Sequence, residues 1–171
     1  MSEFYDMCCA NRNHSLRFVL NPNDCWYSFN DELKELVYTS EWKEMKILND
    51  SGDAINEKIS DVPNHSGGVY MFVLHPDLVP EVHRYILYVG RALNTDSQNL
   101  RKRFREYVKD KRTDVIFMRE TWGKDLYIRY LPLQDNEVIT KLEKELYTAI
   151  RPPCNSQYDG ELTGAMSAVG L

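Results

Sequence analysis

Gly68-Val69-Tyr70-Met71-Phe72-Val73-Leu74 and Tyr85-Ile86-Leu87-Tyr88-Val89-Gly90 are the two stretches on which the reading of the fold turns. Their β-branched and aromatic residues predict strands over 69–74 and 85–89. His75-Pro76-Asp77 ends the first strand, and Gly90 permits a backbone geometry that a Cβ would hinder.

Working outward, a polar loop at 93–98 leads to a helix starting near Asn99, with Leu100, Phe104, Tyr107 and Val108 as its apolar stripe. Arg103 and Tyr107 are four residues apart and project from one side of it. Leu126–Leu133 alternates as a third strand, and Pro132 places that strand at an edge or Pro132 near its end. Asp135 or Asn136 caps a last helix that buries Val138, Ile139, Leu142, Leu146, Ala149 and Ile150, and Pro152-Pro153 stops it. On the margins of that stripe, Glu145 is spaced to pair with Lys141. Glu143 lies between Tyr147 and Ile150 on the helical wheel with no basic partner on its own side. A carboxylate held there is a candidate ligand or catalytic group, and periodicity favours Glu143 over Glu145 only slightly.

Residues 1–66 form the other part of the chain, an acidic arm or subdomain. A short strand is expected at 15–20, a turn at 21–24, and a helix from Asp31 to about Lys46. Asp50-Ser51-Gly52-Asp53 breaks that helix, and residues 63–68 mark the junction between the two parts.

Bulk properties narrow the function classes. The 171 residues suffice for one ordinary domain with a small attachment, and the hydrophobic fraction of 43% is that of a globular protein. No apolar run approaches the roughly 20 residues of a membrane span, and the acidic start is unlike a signal peptide, so a soluble, cytoplasmic chain is expected. Cys8, Cys9, Cys25 and Cys154 fit no disulfide framework or zinc-ligand spacing, even with His14, and are read as free thiols. The net charge of −5 argues against a passive polyanion-binding surface, but residues 91–112 hold 8 basic and 3 acidic residues. A basic strip on an acidic chain points to a phosphate-bearing partner.

The order of these parts resembles the GIY-YIG nucleases. The two triplets match that family's paired signature, and Asn99-Leu100-Arg101-Lys102-Arg103, Glu143, Pro152 and Asn155 follow in its order. The resemblance covers residues 67–155, leaving 1–66 as an acidic arm and 156–171 as a tail. It implies an α+β fold, a small central antiparallel three-stranded sheet flanked by helices. The loops at 75–84 and 93–98 and the segment 109–125 are longer than in relatives, and Tyr107 stands where many carry histidine, as in the excision-repair members. His65, His75 and His83 match no family position and are assigned to loops or the surface.

Phosphodiester hydrolysis needs an activated water, stabilised phosphoryl oxygens and help for the leaving oxygen. The resemblance implies that Glu143 holds a single Mg²⁺ or Mn²⁺ ion that keeps most of its waters. It makes Arg103 the phosphate clamp, with Tyr70 and Tyr88 facing the scissile phosphate and Tyr70 taking the water's proton. A phenol needs nearby cations to lower its pKa for that task; Arg103, Arg91 and the metal are the expected sources. Arg91 binds phosphate or tunes a tyrosine, Tyr107 supports the site, and Gly68, Gly90 and Asn155 shape it. Lys102, Arg105, Lys109, Lys111 and Arg112 are the expected backbone contacts on double-stranded DNA.

The function expected is therefore a metal-dependent DNA endonuclease of restriction, phage or mobile-element type. The alternatives are a structure-selective or nicking repair or recombination nuclease, and a non-catalytic nucleic-acid-binding module on the same fold. One site cuts one strand, so a double-strand break would call for a homodimer or two successive events.

Overall fold

The computed structural model describes residues 29–75, 79 and 84–155. The expected strand at 15–20, the turn at 21–24, Cys8, Cys9, His14, Cys25, His83 and the tail from 156 lie outside them. The described chain runs α1 (Asp31–Thr39), β1 (Lys43–Lys46), a 3₁₀ turn (Glu57–Asp61), β2 (Gly67–Leu74), β3 (Ile86–Ala92), α2 (Leu100–Tyr107), α3 (Thr113–Trp122), β4 (Leu126–Leu133) and α4 (Asn136–Ile150). It is an α+β fold with an antiparallel sheet in the order β1-β4-β2-β3.

The sheet has four strands among the described residues, not the expected three. The fourth comes from 43–46, where the sequence pattern predicted helix. Asn30 caps α1 by accepting the Leu33 amide at 3.1 Å, but Ser40 has extended backbone and ends the helix. Trp42 then donates its indole N–H to the Val37 carbonyl, and Lys43–Lys46 pairs with Tyr127–Tyr130 of β4. Strand pairing and burial of Met45 override a helical spacing that was only approximate. The described part of the acidic segment is thus built into the sheet and core. β4 is consequently an inner strand, and Pro132 sits near its end, beyond the last pairing with β1 at Tyr130.

Both faces of the sheet are covered, which explains why β2 reads as a continuous apolar run: all of it but Leu74 is buried. On one face Tyr70, Phe72, Ile128 and Tyr130 pack with Leu100, Phe104 and Tyr107 of α2 and Val115 and Met118 of α3. Ile47, Leu48, Ile59 and Val62 close the same cluster. On the other face Val69, Met71, Val73, Val89 and Leu131 meet Leu33 of α1 and Ile139, Leu142 and Leu146 of α4. Asp135 caps α4 by accepting the Glu137 and Val138 amides, and Arg151 ends it in left-handed backbone before Pro152.

Gly68 lets β2 enter the sheet. Its φ is +154°, and a Cβ there would stand 2.2 Å from the Leu131 carbonyl oxygen. Gly68→Ala is expected to cost about 3 kcal/mol or more, which should lower the melting temperature by roughly 6–12 °C in a chain of this size. Thermal unfolding by circular dichroism measures it, and an unchanged midpoint would contradict this account of the strand's entry.

Candidate active site

Strand register makes the site. Tyr70 of β2 stands opposite Gly90 of β3 on one side and Tyr130 of β4 on the other. A Cβ on residue 90 would lie 2.7 Å from the Tyr70 hydroxyl oxygen and 2.8 Å from its Cζ. The phenol of Tyr70 therefore extends across the space that Gly90 leaves, toward α2. There its hydroxyl shares a 2.6 Å hydrogen bond with the Tyr107 hydroxyl and accepts one from Arg103 Nε at 3.2 Å.

The helical spacing of Arg103 and Tyr107 works as read from the sequence. The guanidinium carbon lies 5.0 Å from the Tyr107 ring centroid, and Arg103 Nη1 donates to Glu106 Oε2 at 3.0 Å. Tyr88 joins the cluster, its ring 6.5 Å from those of both Tyr70 and Tyr107. Phe104 and Phe72 wall the Tyr70 ring edge-on.

A second guanidinium enters from the segment after α2. Arg112 lies 5.9 Å from the rings of Tyr88 and of Tyr107, at the start of α3. Asp110 Oδ2 holds it through Nε and Nη2, both at 3.0 Å. Arg112 was expected only as a backbone contact, and Glu106 and Asp110 were not singled out. Glu106 lies three residues after Arg103 on one helix, a legible pairing signal. Asp110 carries no comparable pattern.

Burial sets the electrostatics of the phenols. Tyr70 is fully buried and its hydroxyl is pushed up to about 12, because desolvation and the neighbouring Tyr88 outweigh Arg103. Tyr107 is raised well above the usual phenol value by the same desolvation and by Tyr70 and Tyr88. This is the reverse of the expected lowering by cations. Tyr88 is half-buried, which makes it the most solvent-accessible phenol of the three. Burial works against the Arg103 cation, but Tyr70, Tyr107 and Glu106 hold its pKa above the ordinary guanidinium value.

Arg91 and Glu143 occupy the opposite side of β3. Side chains alternate along a strand, and Arg91 pairs in register with Val69, on the face covered by α4. Arg91 Nη1 donates to Glu143 Oε2 at 2.5 Å, so Glu143 does have a basic partner, contrary to the helical-wheel reading, which considered only its own helix. Glu145 accepts the Asn30 amide at 3.4 Å, and no pair with Lys141 forms among the described residues. Asn155 binds the Val89 backbone twice, accepting its N–H at 2.9 Å and donating to its carbonyl at 2.8 Å. With Cys154 N donating to Leu87 O, it seals the outer edge of β3 beside the site. Lys102, Arg105, Lys109, Lys111 and Arg112 are all exposed.

No group of three or more His, Cys, Asp or Glu side chains is placed to hold a metal among the described residues. Glu143 has one oxygen on Arg91, and Oε1 has no hydrogen-bond partner among the described residues. A single, partly exposed carboxylate fits a hard ion that retains most of its water and does not fit a dehydrated cage. No family model matches the chain, and no curated protein or solved structure matches it.

The raised phenols make stability depend on alkaline pH. Below about pH 10 Tyr70 is protonated both folded and unfolded, so its contribution is fully present. Between about 10 and the folded value of about 12 only the unfolded chain loses the proton, so stability falls as pH rises. One such phenol accounts for about 1.4 kcal/mol per pH unit over that window. Urea unfolding at pH 9, 10 and 11 should show the fall in the wild type and a shallower one in Tyr70→Phe. Equal slopes would contradict the burial account.

Proposed function

We propose that this chain is a GIY-YIG-type nuclease, a metal-dependent DNA endonuclease of the restriction, phage or mobile-element kind. The observation that carries the reading is the convergence of Tyr70, Tyr88, Arg103 and Tyr107 around the space left by Gly90. Two sequence triplets and two positions on one helix meet in a cluster of phenols and a guanidinium. That chemistry suits a phosphoryl group: a planar fork for its oxygens and hydroxyls to orient water.

In this reading Arg103 exchanges part of its hold on Glu106 for a phosphate oxygen, and Tyr70 keeps the guanidinium aimed through Nε. Tyr70 acts as a positioning hydrogen-bond partner, because a fully buried phenol near 12 is a poor base at neutral pH. Tyr88, the accessible phenol, orients the attacking water and takes a proton from it while passing its own hydroxyl proton to solvent. Water's oxygen bonds to phosphorus, the bond from phosphorus to one sugar oxygen breaks, and that oxygen takes a proton from solvent as it leaves. Glu143 would hold Mg²⁺ or Mn²⁺, which supplies charge neutralisation at the phosphate. In this reading Arg91, paired with Glu143 in the free protein, passes to a phosphate oxygen of the substrate.

A second reading, a non-catalytic nucleic-acid-binding module on the same fold, is favoured by one observation. Arg91, Arg103 and Arg112 are each already paired with a carboxylate. Incubation of supercoiled plasmid and linear duplex with the protein and Mg²⁺ or Mn²⁺ separates the two. The nuclease reading expects cleavage, reduced by about 10²–10³-fold in Arg103→Ala and abolished in Glu143→Ala. Binding without cleavage under every condition would favour the module.

The Arg91–Glu143 pair adds a prediction independent of turnover. Arg91 spends its positive charge on the carboxylate that would hold the ion, and losing that charge would favour a cation there by about 1–3 kcal/mol, the scale of one close charge pair near a protein surface. Arg91→Gln should therefore tighten Mn²⁺ binding about tenfold in an electron paramagnetic resonance titration, and Glu143→Ala should abolish it. Equal affinity in wild type and Arg91→Gln would contradict the pairing as a determinant of metal affinity.

A further inference from the structure

A recess lies beside the Tyr–Arg cluster and contains none of its residues. It is an open groove of about 590 Å³ at the start of α2, walled by Asn64, His65, Asp96, Arg101, Lys102 and Arg105 among others. We infer that this groove takes the sugar–phosphate backbone of the DNA strand flanking the cleavage point. The inference rests on the nuclease reading for the identity of the polyanion and for the direction in which the strand continues.

Three cations face one carboxylate here, and each is presented differently. Arg101 is anchored through Nε to the Val62 carbonyl at 2.6 Å, which fixes its stem and leaves its terminal nitrogens for other acceptors. Lys102 spends one N–H on the Asp96 backbone carbonyl at 3.0 Å and keeps two. Arg105 is exposed one turn further along the helix. The groove is preformed. Thr95 and Gln98 exchange backbone hydrogen bonds across the loop, and Asn94 is tied to α4 by the Asn136 amide group at 2.7 and 3.0 Å. No Phe, Tyr or Trp lines it among the described residues, so phosphate and sugar contacts dominate its walls over base stacking. Spaced cations with amide and hydroxyl walls suit phosphates and sugars, contacts that position a strand without reading its sequence.

Its position sets the partner's geometry. Lys102 and Arg103 are consecutive on a helix, about 100° apart, so the groove and the cluster lie on adjoining faces of α2. That helix of eight residues is about 12 Å long, some three to four nucleotide steps at about 3.4 Å per step. A strand with its scissile phosphate at Arg103 therefore passes Lys102 and Arg105 within a few nucleotides.

The test is metal-free binding of the full chain to a fluorescent 20-base-pair duplex, by anisotropy in EDTA over a range of salt. The variant is Lys102→Glu with Arg105→Glu; the matched control is Lys34→Glu with Lys144→Glu, exposed on α1 and α4. The groove predicts that its variant weakens binding at least tenfold and lowers the salt slope by about 2, while the control does neither. Asp96→Asn should tighten binding. Loss of affinity no greater than in the control overturns the groove, as does a wild type that binds no DNA. Plasmid cleavage separates this proposal from the reading on which it rests. A cleaving enzyme indifferent to the groove variant sinks the groove alone; groove-dependent binding without cleavage sinks the nuclease alone.

Discussion

The structure depends on a piece of space that is left empty of side chain. Gly90 stands opposite Tyr70, and the Tyr70 phenol fills the volume that any Cβ at residue 90 would claim. Because the ring can lie there, its hydroxyl reaches Tyr107 and Arg103 on α2. Sheet and helix are thereby joined by a buried polar contact as well as by the packing of Phe72, Phe104 and Tyr107. A buried hydroxyl is tolerable only with partners, and Tyr70 has them. The arrangement that satisfies the fold also aims the guanidinium.

The cluster is organised before any ligand arrives. Glu106 and Asp110 hold Arg103 and Arg112 in fixed orientations over the tyrosine rings, and Arg91 waits on Glu143 across the edge of β3. In the proposed function a phosphate would compete with carboxylates for arginines already in place, so little ordering would remain to be done on binding. The two halves lie on opposite faces of the sheet, and both include residues of β3, its edge strand. Asn155 and Cys154 seal that edge at Val89 and Leu87. A ligand that engages both halves has to straddle it near Gly90 and Arg91.

Much of the frame was legible in sequence because its signals are local. Strand β4, the capped helix α4, and the shared side of Arg103 and Tyr107 come from alternation, capping and helical spacing. What failed was decided by tertiary partners. β1 is a strand because β4 offers it an edge, and α3 was not expected because Val115, Ile116, Phe117 and Met118 are consecutive and mark no single face. Of the candidate site, the residue types were visible but their states were not. Nothing near Glu143 in sequence announces Arg91, and no spacing rule says that Tyr70 is fully buried while Tyr88 is not. These are consequences of register, which fixes what each strand residue faces only once the sheet is assembled.

The central claim is that the empty volume at residue 90 places the Tyr70 hydroxyl, and that this placement makes the guanidinium cluster work on phosphodiesters. The most direct measurement is single-turnover cleavage of end-labelled duplex by Gly90→Ala, at a temperature where circular dichroism shows it folded. The account predicts a folded protein whose cleavage rate is at least about 10²-fold below wild type, the scale seen when one preorganised contact to a reacting group is lost. A folded Gly90→Ala protein that cleaves at the wild-type rate would contradict it.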